Sequence, residues 1–317
     1  MKTPKLQTKN YKLITILGPT ASGKSELAIK LAKKLARYHT WGSGAGFNGF
    51  EIISADSRQV YKGMDIGTGK VRKKEMRGIP HHLLDIANPK RRFTVVQYRK
   101  LAIKTIDKIF KKNKIPILCG GTGFYIRAIV DGIVIPEVPP NWKLRKKLGK
   151  KSAKELYQIL KKLDSKRAKT IEKENPRRLI RAIEIVMKTK KPVSVFKINP
   201  LPYPVLMIGI KKSPEELKKL IKKRFLKWLK RGLIKEVENL KKSGLSWEKI
   251  EDFGIHYRVI AQYLQRKLNY QEMIAKSFKE LVDYVRRQMT WFKRDKRIIW
   301  IKNYQEAKKL VKKFLRK

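Results

Sequence analysis

Residues 18–25 read Gly18, Pro19, Thr20, Ala21, Ser22, Gly23, Lys24, Ser25, the G-x-x-x-x-G-K-[ST] spacing with which backbone N–H groups wrap phosphate oxygens. Lys24 supplies the cation, and the Ser25 hydroxyl is placed to ligate a Mg²⁺ carried on the phosphate. A glycine turn without a ligand is the competing reading. A second cluster, IPILCGGTGFY, ends in Gly120, Gly121 and Thr122. P-loop proteins that split nucleotides usually end such a strand in an acid that holds Mg²⁺. Its absence argues against an ATPase or GTPase and puts the Thr122 hydroxyl near the phosphate, although a tight turn with a capping threonine would look the same. Asp56 follows EIIS; a carboxylate there can take a proton or hydrogen bond from a nucleophile, or cap a helix. In SPEELKKLIKKRFLKWL, Ser213 and Glu216 form a capping box, and Arg224 falls within the stripe Leu217, Leu220, Ile221, Trp228. An inward arginine needs an anion, unless it snorkels over apolar surface.

The elements that must position these groups follow from periodicity. KLITILG reads as a buried strand, and KSELAIKLAKKLA as a helix with Leu27, Ala28, Leu31, Ala32 and Leu35 on one face. EIIS is a second strand, 94–113 a helix, and KIPILC a third strand followed by a helix. This order predicts an α/β fold: a P-loop NTPase-like parallel sheet wrapped by helices, with ligands at the carboxyl edge of the strands. From 136 to 204 the pattern becomes charged amphipathic helices without a strand signal, bracketed by PEVPP and NPLPYP. The expected organisation is therefore a core at 12–135 and 205–317 with an all-helical insertion at 136–204. VLMIGI reads as a returning strand and RIIWI as a short terminal one. The glycine-rich 41–49 segment reads as a loop.

The chain has 317 residues, and 79 Lys and Arg against 26 Asp and Glu give a formal charge of +53. Such a surface attracts polyanions, although genome or habitat bias also inflates it. Cys119 is the sole cysteine, which excludes an intramolecular disulfide and a cysteine-rich zinc site. His81, His82 and Asp85 are not read as a metal site, because adjacent histidines point apart in most backbones. No apolar run reaches the roughly 20 residues of a membrane span, so a cytoplasmic monomer is expected, with no membrane partner.

GPTASGKS, ISADSRQVYKGMDIGTGK, HHLLDI, GGTGFY, NPRRLIRAIE and RRQMTWFKRD resemble, in order, the signatures of the tRNA dimethylallyltransferases, also called tRNA isopentenyltransferases. The resemblance spans about residues 14–300. It implies transfer of a dimethylallyl group from dimethylallyl diphosphate to N6 of adenine 37, 3′ of the anticodon, in tRNAs reading codons that begin with U. The P-loop would then hold the diphosphate with Mg²⁺. Lys24 and Arg224 would stabilise the leaving group, Asp56 would deprotonate the adenine amino group, and Thr122 would position phosphate and base. The adenine must be extruded from its loop. The implied tRNA contacts are Asp56, Ser57, Arg58, Gln59 and Thr122, then Arg145, Arg177, Arg178 and Arg181 in the insertion. Tyr257, Arg258, Arg286, Arg287, Gln288, Thr290 and Trp291 complete the set. Arg286, Arg287, Gln288 and Thr290 are expected to oppose the core stripe Phe278, Leu281, Val285, Phe292, and Phe124, Tyr125 and Trp291 to wall the channel. Val71 stands where the family usually has Pro, and His256 precedes Tyr257 where it commonly has Gly. The rival readings are a nucleoside-monophosphate-type kinase, which would consume ATP, and an RNA-binding protein that keeps the P-loop as scaffold.

Overall fold

A computed structural model describes residues 11–36, 47–133, 136, 138–193 and 198–316; residues 41–46 of the glycine-rich segment lie outside them. The chain divides into two compact units, Met1–Val130 with Leu201–Lys317, and Asp131–Pro200. The first unit begins β1 (Leu13–Leu17), α1 (Lys24–Leu35), β2 (Phe50–Ser54), α2 (Lys73–Met76), β3 (His81–His82), α3 (Val95–Lys111), β4 (Ile115–Gly120) and α4 (Gly123–Val130). The second unit holds α5 (Trp142–Leu148), α6 (Ala153–Leu163), α7 (Ser165–Thr170) and α8 (Pro176–Thr189). The first resumes with β5 (Val205–Ile210), α9 (Pro214–Lys230), α10 (Leu233–Lys242), α11 (Trp247–Asp252), α12 (Ile255–Leu264), α13 (Tyr270–Phe292), β6 (Ile299–Ile301) and α14 (Tyr304–Arg316).

The six strands form one all-parallel sheet in the order β3-β2-β4-β1-β5-β6. Both faces are covered, and the alternation of side chains shows it. Leu13 and Leu17 of β1 join the core shared with α3, α4, α9, α10, α12 and α13, while Ile14 and Ile16 join the core under α1 and α14. Strands buried on both sides explain why the sequence shows continuous apolar runs instead of a polar alternation. The connection from β1 runs to one side of the sheet and that from β4 crosses to the other, so the carboxyl ends of these two neighbours frame a crevice.

The edge strand β3 escapes a reading by apolar run. It is two histidines long and pairs only with β2. His82 Nε2 lies 2.7 Å from the carboxylate of Glu51, which is 1% exposed and also 2.9 Å from Lys114 Nζ.

In the second unit, Leu156, Leu160, Leu179, Ile183 and Val186 build a separate apolar core. Its boundaries fall earlier than the proline brackets, because Ile133 and Ile198 bridge antiparallel and Asn199 N–H donates to Gly132 O at 3.2 Å. Gly132 has φ +58°, and a Cβ there would stand 1.5 Å from Asn199 O, so only glycine fits.

Candidate active site

Gly18 leaves β1 with φ +146°, and Gly23 caps α1 at φ +90°. Ala21, a non-glycine residue at φ +64°, marks local strain of the kind found where a loop is shaped around a ligand. Among the described residues, the N–H groups of Ala21, Gly23, Lys24 and Ser25 take no partner, which leaves them for an anion at the helix N-terminus. Lys24 Nζ folds back to donate to Pro19 O at 2.6 Å. Burial, and then the neighbouring Arg224, push the Lys24 amine down to about 8. A cation held this way lacks an anionic partner, which a diphosphate would supply.

Asp56 stands two residues beyond β2 at the same edge. Its Oδ1 accepts from Arg58 N–H at 2.8 Å and from Gln59 N–H at 3.3 Å. This turn fixes the carboxylate while Oδ2 has no partner among the described residues, so one oxygen is held and the other can accept a proton. Thr122 Oγ1 accepts from Ser57 N–H at 3.0 Å, locking the turn after β4 to the turn after β2. The two backbones approach so closely that a Cβ on Gly120 would lie 2.2 Å from Ala55 O, and Thr122 N–H bonds that same oxygen at 3.1 Å. The glycine pair thus lets two strand ends converge beside Asp56.

Arg224 projects from α9, where its guanidinium hydrogen-bonds the Thr20 hydroxyl and stacks over Trp228 at 4.6 Å. Burial lowers it to about 10, so it remains charged at neutral pH, and Asp56 opposes the shift. A cavity of about 420 Å³ opens here, lined by Lys24, Ser25, Gly69, Val71, Arg77 and Arg224 among others. Its wall at 65–70 is held from behind. Glu236 of α10 accepts from the N–H groups of Asp65, Ile66 and Gly67 at 2.7, 2.7 and 3.0 Å, and from Tyr257 O–H at 2.9 Å. From the front, Gln59 Nε2 donates to Thr68 O and Gly69 O at 3.2 and 3.3 Å.

Several expected tRNA contacts have other surroundings. Gln288 does not oppose the core: it is 7% exposed, its Oε1 accepts from Thr20 N–H and its Nε2 donates to Gly121 O, both at 2.9 Å. The buried positions of α13 run Met273, Ser277, Leu281, Val285, Gln288, Phe292, so helical spacing itself puts Gln288 inward. Tyr257 is likewise in the core, bonded to Glu236, and cannot meet RNA as a surface group. Trp291 packs over Gly123, where a Cβ would come within 2.2 Å of its ring. Tyr125 is buried and stacked on Tyr98 at 3.8 Å, whereas Phe124 is exposed. Arg58 reaches Asp252 O at 3.2 Å, and Arg258 pairs with Glu280. Arg286 and Arg287 are exposed on α13, and the exposed Thr290 bonds Arg286 O at 3.0 Å.

In the second unit, Arg177 and Arg178 are exposed, with Arg178 3.0 Å from Glu172. Arg145 and Arg181 converge on Glu184, which is 1% exposed: Arg145 Nε and Nη2 donate at 2.8 and 2.6 Å, and Arg181 Nη1 at 2.5 Å. Burial would raise the Glu184 carboxyl, yet hydrogen bonds from Arg145, Asn141 N–H and Arg181 bring it down to about 2. The signal was present in the sequence, since Glu184 falls within the buried run Leu179, Ala182, Ile183, Ile185, Val186.

Among the described residues, no group of three or more His, Cys, Asp or Glu is arranged for a metal ion. His82 is engaged with Glu51, and Asp85 with Lys70. A Mg²⁺ here would depend on substrate oxygens plus the Ser25 hydroxyl, a donor set that suits this ion.

The family model for IPP transferases matches residues 59–295, three quarters of the chain. The chain belongs to the IPP transferase family. Relatives agree along the whole length: a tRNA dimethylallyltransferase of Halothermothrix orenii is 40% identical over 322 residues, covering 96% of this chain and 94% of its own. Another from Acetivibrio thermocellus is 39% identical over 310 residues, covering 95% of each. Among solved structures, the tRNA isopentenylpyrophosphate transferase of Bacillus halodurans superimposes with a TM-score of 0.69 at 31% identity, over 96% of this chain and 95% of that one. A eukaryotic dimethylallyltransferase acting on tRNA gives a TM-score of 0.72 at 27% identity, over 89% and 70% of the chains. As an IPP transferase, this chain ends β4 in a threonine turn and not in a metal-binding acid. The kinase reading is not favoured.

Proposed function

We propose that the protein transfers a dimethylallyl group from dimethylallyl diphosphate to N6 of adenine 37 of tRNAs reading U-starting codons, releasing diphosphate. The observation that carries this reading is the held, half-free carboxylate of Asp56 at the strand edge beside a P-loop whose Ala21, Gly23, Lys24 and Ser25 amides have no protein partner among the described residues. Ionising an allylic diphosphate develops negative charge on the leaving oxygen, so stabilisation must come from cations and N–H donors aimed there. Lys24, Arg224 and the open loop amides provide it. Mg²⁺ on the diphosphate, held with Ser25, supplies further positive charge when bound. Asp56 Oδ2 accepts the proton of the adenine amino group as N6 attacks the prenyl carbon, and Thr122 keeps the turn in place.

Arg286 and Arg287, with Arg177 and Arg178 of the helical unit, are exposed cations suited to grip tRNA phosphates, and the half-buried Arg58 stands beside Asp56. Arg145 and Arg181, tied to Glu184, contribute more as scaffold. The enzyme acts as a cytoplasmic monomer.

The test combines unmodified tRNA carrying A at 36, 37 and 38 with dimethylallyl diphosphate and Mg²⁺, and looks for prenylated adenosine. Asp56→Ala lowers kcat by about 100-fold or more, the usual scale for a general base, and leaves tRNA affinity close to wild type. Full activity in that variant removes Asp56 from the mechanism, and ATP consumption without prenylated product returns the kinase reading.

A further inference from the structure

The cavity beside the phosphate loop is lined by four cations, Lys24, Lys30, Arg77 and Arg224, against two carboxylates, Glu26 and Glu75. Lys24 and Arg224 are half-buried, whereas Arg77 is exposed and stands at the open end of the space. Neither carboxylate takes Arg77. Glu75 is engaged by Arg72, whose backbone N–H and Nη2 donate to it at 2.9 and 2.7 Å, and Glu26, in the first turn of α1, makes no ion pair with Arg77. Arg77 also holds a backbone conformation that a side chain disfavours. It closes α2 at φ +51° and ψ +39°, in the left-handed region, where Cβ crowds the following carbonyl oxygen. Gly78, the next residue, is at φ +79° and bears no such cost. A strained arginine without a protein partner among the described residues, on the wall of an anion site, carries the kind of local cost that a ligand contact offsets.

We propose that Arg77 is a third cation for the diphosphate of the prenyl donor, meeting it from the 69–77 wall while Lys24 holds it from the loop and Arg224 from α9. The choice of anion follows from which groups share the space. Gly23, Lys24 and Ser25 of the loop line this cavity, and Asp56, where the proposed function places the adenine, does not. An anion within reach of Arg77 is therefore one seated on the loop, and not an RNA phosphate near Asp56. The planar guanidinium presents paired N–H donors that match two phosphate oxygens, which an ammonium does not. Because the released diphosphate occupies the same place, Arg77 contributes equally to binding of donor and product. Its exposure limits the strength of the contact, since water and salt screen it more than they screen Lys24. This inference rests on the proposed prenyl donor and adds to the phosphate-loop pattern a residue from outside it.

The test titrates Mg²⁺ and inorganic diphosphate into the full chain by calorimetry, with no tRNA and no turnover. Arg77→Gln weakens diphosphate binding by about 3- to 10-fold, between the scale of an exposed ion pair and that of a hydrogen bond to a charged group, and the difference narrows as salt rises. Arg77→Lys keeps part of the affinity, and Arg77→Glu loses more than Arg77→Gln. In steady state the KM for dimethylallyl diphosphate and the inhibition constant of diphosphate rise by that same factor, while tRNA affinity is retained. Wild-type diphosphate affinity in both Arg77→Gln and Arg77→Glu overturns the contact, and so does a loss confined to tRNA binding, which assigns Arg77 to the RNA instead. If the wild-type chain binds diphosphate through Arg77 yet forms no prenylated adenosine, the transferase reading falls and this contact stands.

Discussion

Gln288 joins the phosphate loop to the turn after β4, and its removal gives a measurable account of that joint. Its amide is buried and makes two bonds at 2.9 Å, to Thr20 N–H and Gly121 O. Gln288→Ala removes both partners from main-chain groups that water reaches poorly. Each neutral hydrogen bond contributes about 1 kcal/mol, and a buried group left unpaired costs about 1–3 kcal/mol. The expected destabilisation is therefore about 2–4 kcal/mol. Gln288→Glu keeps the bond to Thr20 N–H but sets a carboxylate against Gly121 O, and is at least as damaging. Urea unfolding with and without dimethylallyl diphosphate and Mg²⁺ reads the stability. Steady-state kinetics read the second consequence, a KM for the donor raised about tenfold or more while tRNA affinity is retained. If Gln288→Ala unfolds like wild type and loses tRNA affinity instead, the residue belongs to an RNA-facing surface and the assignment to the joint is wrong.

Two further outcomes follow from titrating groups. Lys24 is held down to about 8 mainly by burial, so the ligand-free loop loses its cation as pH rises past that value; donor KM should rise toward tenfold per pH unit above it, and a profile flat from pH 7 to 9.5 would exclude Lys24 as the diphosphate cation. Glu184 is depressed to about 2 by Arg145, Asn141 N–H and Arg181, so its contribution is fully present above its ordinary carboxylate range and is lost as pH falls through about 4 toward 2. Acid unfolding followed by a probe in the helical unit should show this transition weakened in Glu184→Gln.

The placement of the candidate site residues was legible where a motif fixes backbone and side chain together. The phosphate loop, Asp56 after β2, and Thr122 after a glycine pair are set by local turns, and Arg224 by a break in an apolar stripe. What could not be read were the partners that folding brings in from afar. Gln288 reads as exposed through its neighbours Arg286, Arg287 and Thr290, though the period of α13 places it with Val285 and Phe292. Arg145 and Arg181 read as RNA ligands because charge near a motif suggests an anion outside the protein; the structure gives both an internal partner, Glu184, one turn from Arg181 on α8 and 39 residues from Arg145. Tyr257 likewise has a partner far off in sequence, as its hydroxyl donates to Glu236. The strand β3 had no apolar run to announce it, only a place beside β2.

The carboxylate of Glu236, caught by three successive main-chain amides and a tyrosine hydroxyl, has a kinetic corollary. A pocket wall tethered in this way is already set when the small substrate arrives, so no large rearrangement need precede its capture. On the proposed function, the prenyl donor would meet a wall that needs no ordering of its own, so little conformational entropy would be lost in its capture.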